Sequence, residues 1–141
     1  MIVIGGGPAG AAAAIQAARH DIDVTVFEKA QHGRDKVCGD GLTPRAVGAL
    51  QDLEIQLDQA HRIQGLRMIA GKKVRELDWP ETSRFPSHGA VWPRRQLDTA
   101  LINEASRAGA ETIFGTEVLP KLDSEGRCIG VQVGNEVWTA D

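Results

Sequence analysis

Apolar positions are unevenly spaced along the 141 residues, and their spacing separates strands from helices. Residues 1–4 form a wholly apolar, partly β-branched run, the pattern of a parallel strand covered on both faces. The run passes straight into Gly5-Gly6-Gly7-Pro8-Ala9-Gly10. An alanine-rich helix is predicted from Pro8 or Ala9 to about His20, with Asp21 in the following turn. Residues 24–27 predict a second strand that ends at Glu28. A membrane segment competes for the same stretch, because Gln16 is the one strongly polar side chain between Met1 and Ala18. Two features exclude it: the first basic residue, Arg19, follows the apolar run instead of preceding it, and three glycines and a proline would break a helix at its first turn.

The pattern then becomes less regular. Residues 31–42 carry three glycines and a cluster of charges and read as a loop. Thr43-Pro44 supplies an N-cap and first helical residue for a short helix to about Leu53. Residues 65–68 and 73–77 flank the turn Ala70-Gly71-Lys72 and predict a hairpin, whereas residues 81–88, with Pro86 and no period, read as loop. A short strand at residues 90–92 leads to a helix from about Arg94 to Ala108. Its apolar positions Leu97, Leu101, Ala105 and Ala108 share one face, and Gly109 closes it. Residues 111–118 read as a third parallel strand beside the first two, reached over a connection longer than an ordinary crossover helix. Residues 130–133 and 136–139 flank Gly134-Asn135, a hairpin signal.

Composition narrows the class. A content of 42% hydrophobic and 25% charged residues suits one core of a soluble globular domain. A net charge of −3 gives no reason to expect nucleic acid as a partner. Cys38 and Cys128 have no metal-ligand spacing and no secretory context, so no metal site is expected and a reducing cytoplasm is the default location. His20, His32, His61 and His88 have no mutual spacing that suggests a metal or catalytic pair.

The chemistry lies in the first 28 residues, where strand, glycine turn, helix and strand follow one another around Gly5-x-Gly7-x-x-Gly10. Gly5 permits the tight turn out of the strand, Gly7 lets backbone approach a pyrophosphate, and Gly10 lets helix and sheet pack closely. The helix N-terminus then aims N–H groups and partial positive charge at phosphate. Glu28 stands 18 residues beyond Gly10, near the expected spacing of about 20 for an acid that binds a ribose hydroxyl pair. A carboxylate there repels a 2′-phosphate, so the dinucleotide is FAD or NAD rather than NADP.

The fingerprint with Glu28, the loop Arg34-Asp35-Lys36-Val37-Cys38-Gly39-Asp40-Gly41 and Arg94-x-x-Leu97-Asp98 together resemble the N-terminal part of the FAD-dependent geranylgeranyl reductases, within the para-hydroxybenzoate-hydroxylase-like flavoproteins. The resemblance covers the whole chain. The glycine fingerprint is shared by many flavoproteins, and the Lys-x-Cys-Gly-Asp loop points more narrowly to the prenyl reductases. It implies an α/β fold: a Rossmann-like FAD-binding domain with a parallel sheet, a β-hairpin or meander insertion, and part of a substrate-domain segment at about residues 63–92. Residues 1–30 would be the fingerprint unit and 94–141 a helix, third strand and β-meander. Members of the family are much longer, with a second FAD motif and a lipid-binding region, so the chain reads as a truncated, N-terminal portion of a larger enzyme.

Carried over residue by residue, the resemblance implies FAD contacts at Gly5, Gly7, Ala9 and Gly10 for the pyrophosphate and at Glu28 for the adenosine ribose, with Pro8 and Lys29 among the cofactor-binding residues. Arg34 would lie at the outer edge of the nucleotide, Cys38 and Gly39 near the flavin, Arg94 as a supporting cation, and Val118 against the adenine through its backbone. Asp98 is an ordinary surface acid or a residue that holds the loop. Cys38 is the one candidate for a chemical role, and a small buried hydrophobe is its bland alternative. The implied activity is reduction of carbon–carbon double bonds in a polyprenyl chain of geranylgeranyl or isoprenoid-quinone type. It needs an external donor of reduced nicotinamide or ferredoxin type, and brings a cytoplasmic location with peripheral membrane association of the longer enzyme. A flavin monooxygenase or halogenase of the same fold, or a non-catalytic dinucleotide-binding fragment, are the alternatives.

Overall fold

A computed structural model describes residues 1–140. In chain order the elements are β1 (Ile2–Ile4), α1 (Pro8–Ala18), β2 (Thr25–Glu28), β3 (Gly41–Leu42), α2 (Pro44–Asp52), β4 (His61–Ile63) and β5 (Gly65–Ala70). Then follow β6 (Lys73–Asp78), β7 (Gly89–Val91), α3 (Arg94–Ala108), β8 (Glu111–Phe114), β9 (Leu119–Leu122), β10 (Cys128–Val133) and β11 (Glu136–Thr139). They fall into two compact units: residues 1–36 with the chain from Arg95 onward, and Val37–Arg94.

The first unit is built on the parallel sheet β1-β2-β8, in which Ile2 pairs with Thr25 and Thr25 with Glu111. Val26 and Phe27 are buried on β2, as a strand between two neighbours requires. Helix α1 buries Ala11, Ala14 and Ile15, and α3 buries Leu97, Asp98, Leu101, Ile102 and Ala105. Arg19 after α1 donates to Glu104 of α3 at 3.1 Å. The antiparallel meander β9-β10-β11 closes the core through Val131, which clusters with Phe27 and Val118, while Trp138 meets the Phe27 ring edge-on at 5.3 Å.

The second unit holds the small sheet β3-β7-β4 and helix α2. Thr43 caps α2 by accepting the Ala46 N–H at 3.4 Å, Pro44 opens the helix, and Val47 and Leu50 face inward beside Leu53, Ile55, Ala90 and Trp92. The hairpin β5–β6 is different: apart from Gly65, every one of its strand residues is exposed.

Several expectations are corrected by the backbone. The third parallel strand stops at Phe114 rather than Val118, because Gly115 takes φ +69° and turns the chain out of the sheet. Helix α1 ends at Ala18, two residues short of His20, and the loop of residues 31–42 ends in the short strand β3. Strands β4 and β9 lack a sequence signal. On α3 the buried stripe runs through Asp98 and Ile102, and Ala108 is only half-buried. Among the described residues no helix is long and apolar enough to cross a membrane.

Candidate functional site

The glycine turn is held by backbone geometry. Gly5 takes φ +101°, a value that L side chains rarely adopt, and its N–H donates to the Phe27 carbonyl at 2.7 Å. This bond ties the end of β1 to β2. A Cβ on Gly10 would lie 1.9 Å from the Gly5 carbonyl oxygen and 3.1 Å from Val3 Cγ1, so only glycine lets α1 start this close to the strand. At Gly7 the surroundings are open: the nearest heavy atom to a Cβ there would be Arg34 Nη2, at 3.8 Å. Gly7 is also the N-cap of α1 and supplies no side-chain cap, with Pro8 next to it. The helix therefore presents its N-terminal end to open space at Gly7, Pro8 and Ala9, the arrangement that accepts a phosphate.

Glu28, at the end of β2, is 6% exposed. Its Oε2 accepts the Gly6 N–H at 2.7 Å and its Oε1 accepts the Ala30 N–H at 2.9 Å. Burial pushes this carboxyl up. The backbone N–H groups of Ala30 and Gly6, the guanidinium of Arg34 and the ammonium of Lys29 outweigh that effect and hold it below its ordinary value of 4.5. Glu28 is thus ionised at neutral pH. It has one acceptor site used on each oxygen and one left on each, a count that matches two ribose hydroxyls. Gly6, the one glycine of the run outside the fingerprint pattern, was without an assigned role in the sequence; its N–H fixes Glu28, and a Cβ on it would come within 3.2 Å of Glu28 Cβ.

Around Glu28 lies a cleft of about 340 Å³ bordered by Gly5, Lys29, Ala30, Arg34, Thr116 and Val118, among others. Lys29 is exposed and pairs with Glu117 at 3.5 Å. Val118 lies in the loop after β8, is buried against Phe27 and Val131, and borders this cleft. Arg34 reaches back so that Nε stands 3.6 Å from Glu28 Oε1 and Nη2 stands 3.9 Å from Asp98 Oδ2. Asp98 is buried at 8% exposure, which removes the reading of an ordinary surface acid.

Cys38, Gly39 and Arg94 are placed in the second unit. Cys38 is exposed rather than a buried hydrophobe. The backbone N–H of Asp40 and then the Arg94 guanidinium hold its thiol below the ordinary range. Asp40, itself at φ +54°, accepts the Arg94 N–H at 3.0 Å and the Trp92 N–H at 2.9 Å, which fastens the Cys38 loop to the start of α3. Gly39 is exposed, with no heavy atom within 4 Å of where its Cβ would be.

The family described as "FAD binding domain" matches residues 1–129. The chain is 45% identical over 145 aligned positions to the menaquinone reductase of Mycolicibacterium smegmatis, covering 99% of this chain and 35% of that protein. It is 35% identical over 140 positions to digeranylgeranylglycerophospholipid reductase 1 of Methanopyrus kandleri, again covering 35% of the relative and 96% of this chain. Among solved structures, the geranylgeranyl bacteriochlorophyll reductase-like protein of Thermoplasma acidophilum superposes with a TM-score of 0.79 at 27% identity, over 96% of this chain and 35% of that one. The chain thus spans about a third of the length of the curated relatives it matches.

Proposed function

Because the chain belongs to the FAD binding domain family, we propose that it forms the nucleotide-holding part of an FAD-dependent oxidoreductase that reduces carbon–carbon double bonds of a polyprenyl chain. The observation that carries this reading is the 45% identity, along nearly the whole chain, to a protein named menaquinone reductase. The second relative, named for a digeranylgeranyl lipid, shares the feature of an isoprenoid substrate.

The residues fit FAD. The bare Gly7, the α1 N-terminus and the Glu28 carboxylate with its two unused acceptor sites are the parts an adenosine diphosphate half needs. Bound FAD would supply hydride equivalents for the alkene. The protein's task is positional. Gly5, Gly7, Pro8, Ala9 and Gly10 shape the turn that holds pyrophosphate, Glu28 with Lys29 orients the ribose, and the Val118 backbone borders the adenine. We assign Arg34 to the edge of the nucleotide, and Cys38, Gly39 and Arg94 to the flavin side. Residues 63–92 we assign to the substrate side. The substrate is of geranylgeranyl or isoprenoid-quinone type, and electrons come from a reduced nicotinamide or ferredoxin-type donor.

The test uses the complete protein with a polyprenyl substrate. Reduced anaerobically with dithionite, it is expected to yield a product heavier by two hydrogens for each bond reduced. A product formed only on admission of oxygen, with mass gained as oxygen or halogen, would assign the protein to the monooxygenases or halogenases instead.

A further inference from the structure

We propose that Asp98 is a positioning residue for the cofactor: through Arg34 it keeps the Glu28 carboxylate free to accept the adenosine ribose hydroxyls. The inference rests on the assignment of Glu28 to the ribose and adds a third residue, from a distant part of the chain, to that contact.

The argument is one of charge and spacing. Arg34 carries one positive charge that is shared by two buried carboxylates, Glu28 and Asp98. It stands 3.6 Å from the first and 3.9 Å from the second, so it pairs electrostatically with both and hydrogen-bonds neither at these separations. Glu28 Oε1 already accepts the Ala30 N–H, and only one further acceptor site remains on that oxygen. Were the guanidinium to advance by well under 1 Å, it would take that site and one ribose hydroxyl would lose its acceptor. The three side chains also line one small void, of about 20 Å³, so they are not packed tightly against one another. What opposes the advance is the competing attraction of the Asp98 carboxylate, 3.9 Å from Nη2. Coulomb attraction falls only as the inverse of distance, so the pull of Asp98 on the guanidinium is comparable with that of Glu28, and the balance of the two sets where a flexible arginine rests.

Asp98 is fitted to this task by its place on α3. It follows the core residue Leu97 and lies on the buried stripe, so its backbone is anchored by the packing of the helix. Arg34 is a quarter exposed and belongs to a loop, so it is the movable partner. Neutralising Asp98 therefore moves the arginine, and the arginine moves onto Glu28.

The test compares the complete protein and its variants in the binding of two probes, FAD and an FAD analogue whose adenosine ribose lacks both hydroxyls. Glu28→Gln is the control, expected to weaken FAD about tenfold or more and to leave the analogue nearly unchanged. Asp98→Asn is expected to copy that pattern, with FAD weakened about tenfold and the analogue within about twofold. Arg34→Lys, a change at a partly exposed side chain that puts a point charge where a fork had spanned two carboxylates, is expected to do the same and carries the test if Asp98→Asn does not fold. If Glu28→Gln is selective but Asp98→Asn and Arg34→Lys weaken both probes alike, or neither, Asp98 has a merely structural role and the inference is wrong while the Glu28 assignment stands. If Glu28→Gln leaves FAD binding unchanged, the Glu28 assignment fails and this inference with it.

Discussion

Gly10 and Gly71 show how differently the two units use the same residue. At Gly10 a single added carbon would sit 1.9 Å from a backbone oxygen, so the absence of a side chain is what brings α1 against the strand. At Gly71 the same carbon would meet nothing within 4 Å, and glycine serves only the φ of +60° in the turn of β5–β6. The contrast extends to the units themselves. The first buries Ile15, Val26, Phe27 and Leu101 almost completely, whereas the hairpin of the second leaves Leu66, Met68, Ile69, Val74 and Leu77 between 43% and 68% exposed. The strands and helices of the first unit are therefore fixed by side-chain packing. The hairpin is held by its own ladder and by the Arg67–Glu76 pair.

The largest effect should come from breaking the close approach. Gly10→Ala is expected to destabilise the chain by about 3 kcal/mol or more, since backbone rather than a flexible side chain stands in the way. Gly71→Ala is expected to cost about 1 kcal/mol, the penalty of a left-handed φ with no clash. Urea midpoints at unchanged m would measure both. Equal losses would mean that the two glycines are used alike and that the contrast drawn from their surroundings is false.

The fold was largely legible because its signals are local. Helix α3 was bounded correctly by its period and by Gly109, which takes φ +111°. Thr43-Pro44 marked the start of α2, and the Ala70-Gly71-Lys72 and Gly134-Asn135 turns marked both hairpins. Strand β4 was hidden because three residues carry no period, and β9 because it includes Pro120 and no buried position. At the candidate site, Glu28 was singled out by its spacing, and the structure buries it beside the glycine turn. Asp98 stands out with Arg94-x-x-Leu97, but the sequence alone leaves it between a surface acid and a residue that holds the loop, because its neighbour Arg34 lies 64 positions away. Gly6 was overlooked for a similar reason, since its N–H acts through a side chain at the far end of β2.

A smaller effect, and one that depends on pH, should follow from Glu28→Gln. The native carboxyl is held below 4.5, so Glu28 contributes stability that is fully present above the unfolded value and is lost as pH falls through the lowered folded value. At pH 7 the variant is expected to be less stable by about 1–2 kcal/mol, from weaker bonds to the Gly6 and Ala30 N–H groups. As pH falls from 4.5 through the lowered folded value the two proteins should converge, because the wild-type carboxyl becomes protonated over that range. Unfolding free energies measured between pH 7 and pH 3 would show this; a constant difference would mean that the ionised form is not the one the backbone binds.

The smallest effect is expected at the hairpin, and its smallness is the point. Ile69 is 68% exposed and lies opposite Val74, which is 59% exposed, so replacing it removes little apolar burial and one cross-strand contact. Such a pair contributes roughly 0.2–1 kcal/mol, and serine in the same place keeps the backbone ladder intact. Ile69→Ser in the 141-residue chain should therefore change the unfolding free energy by no more than about 0.5 kcal/mol. By contrast, fully burying an isoleucine side chain is worth about 1.5–3 kcal/mol, so a loss of that size is easily told apart from the expected one. Measured by urea denaturation, a loss of 2 kcal/mol or more would show that this face is covered in solution, and the hairpin would then have to be counted with the packed core rather than set against it.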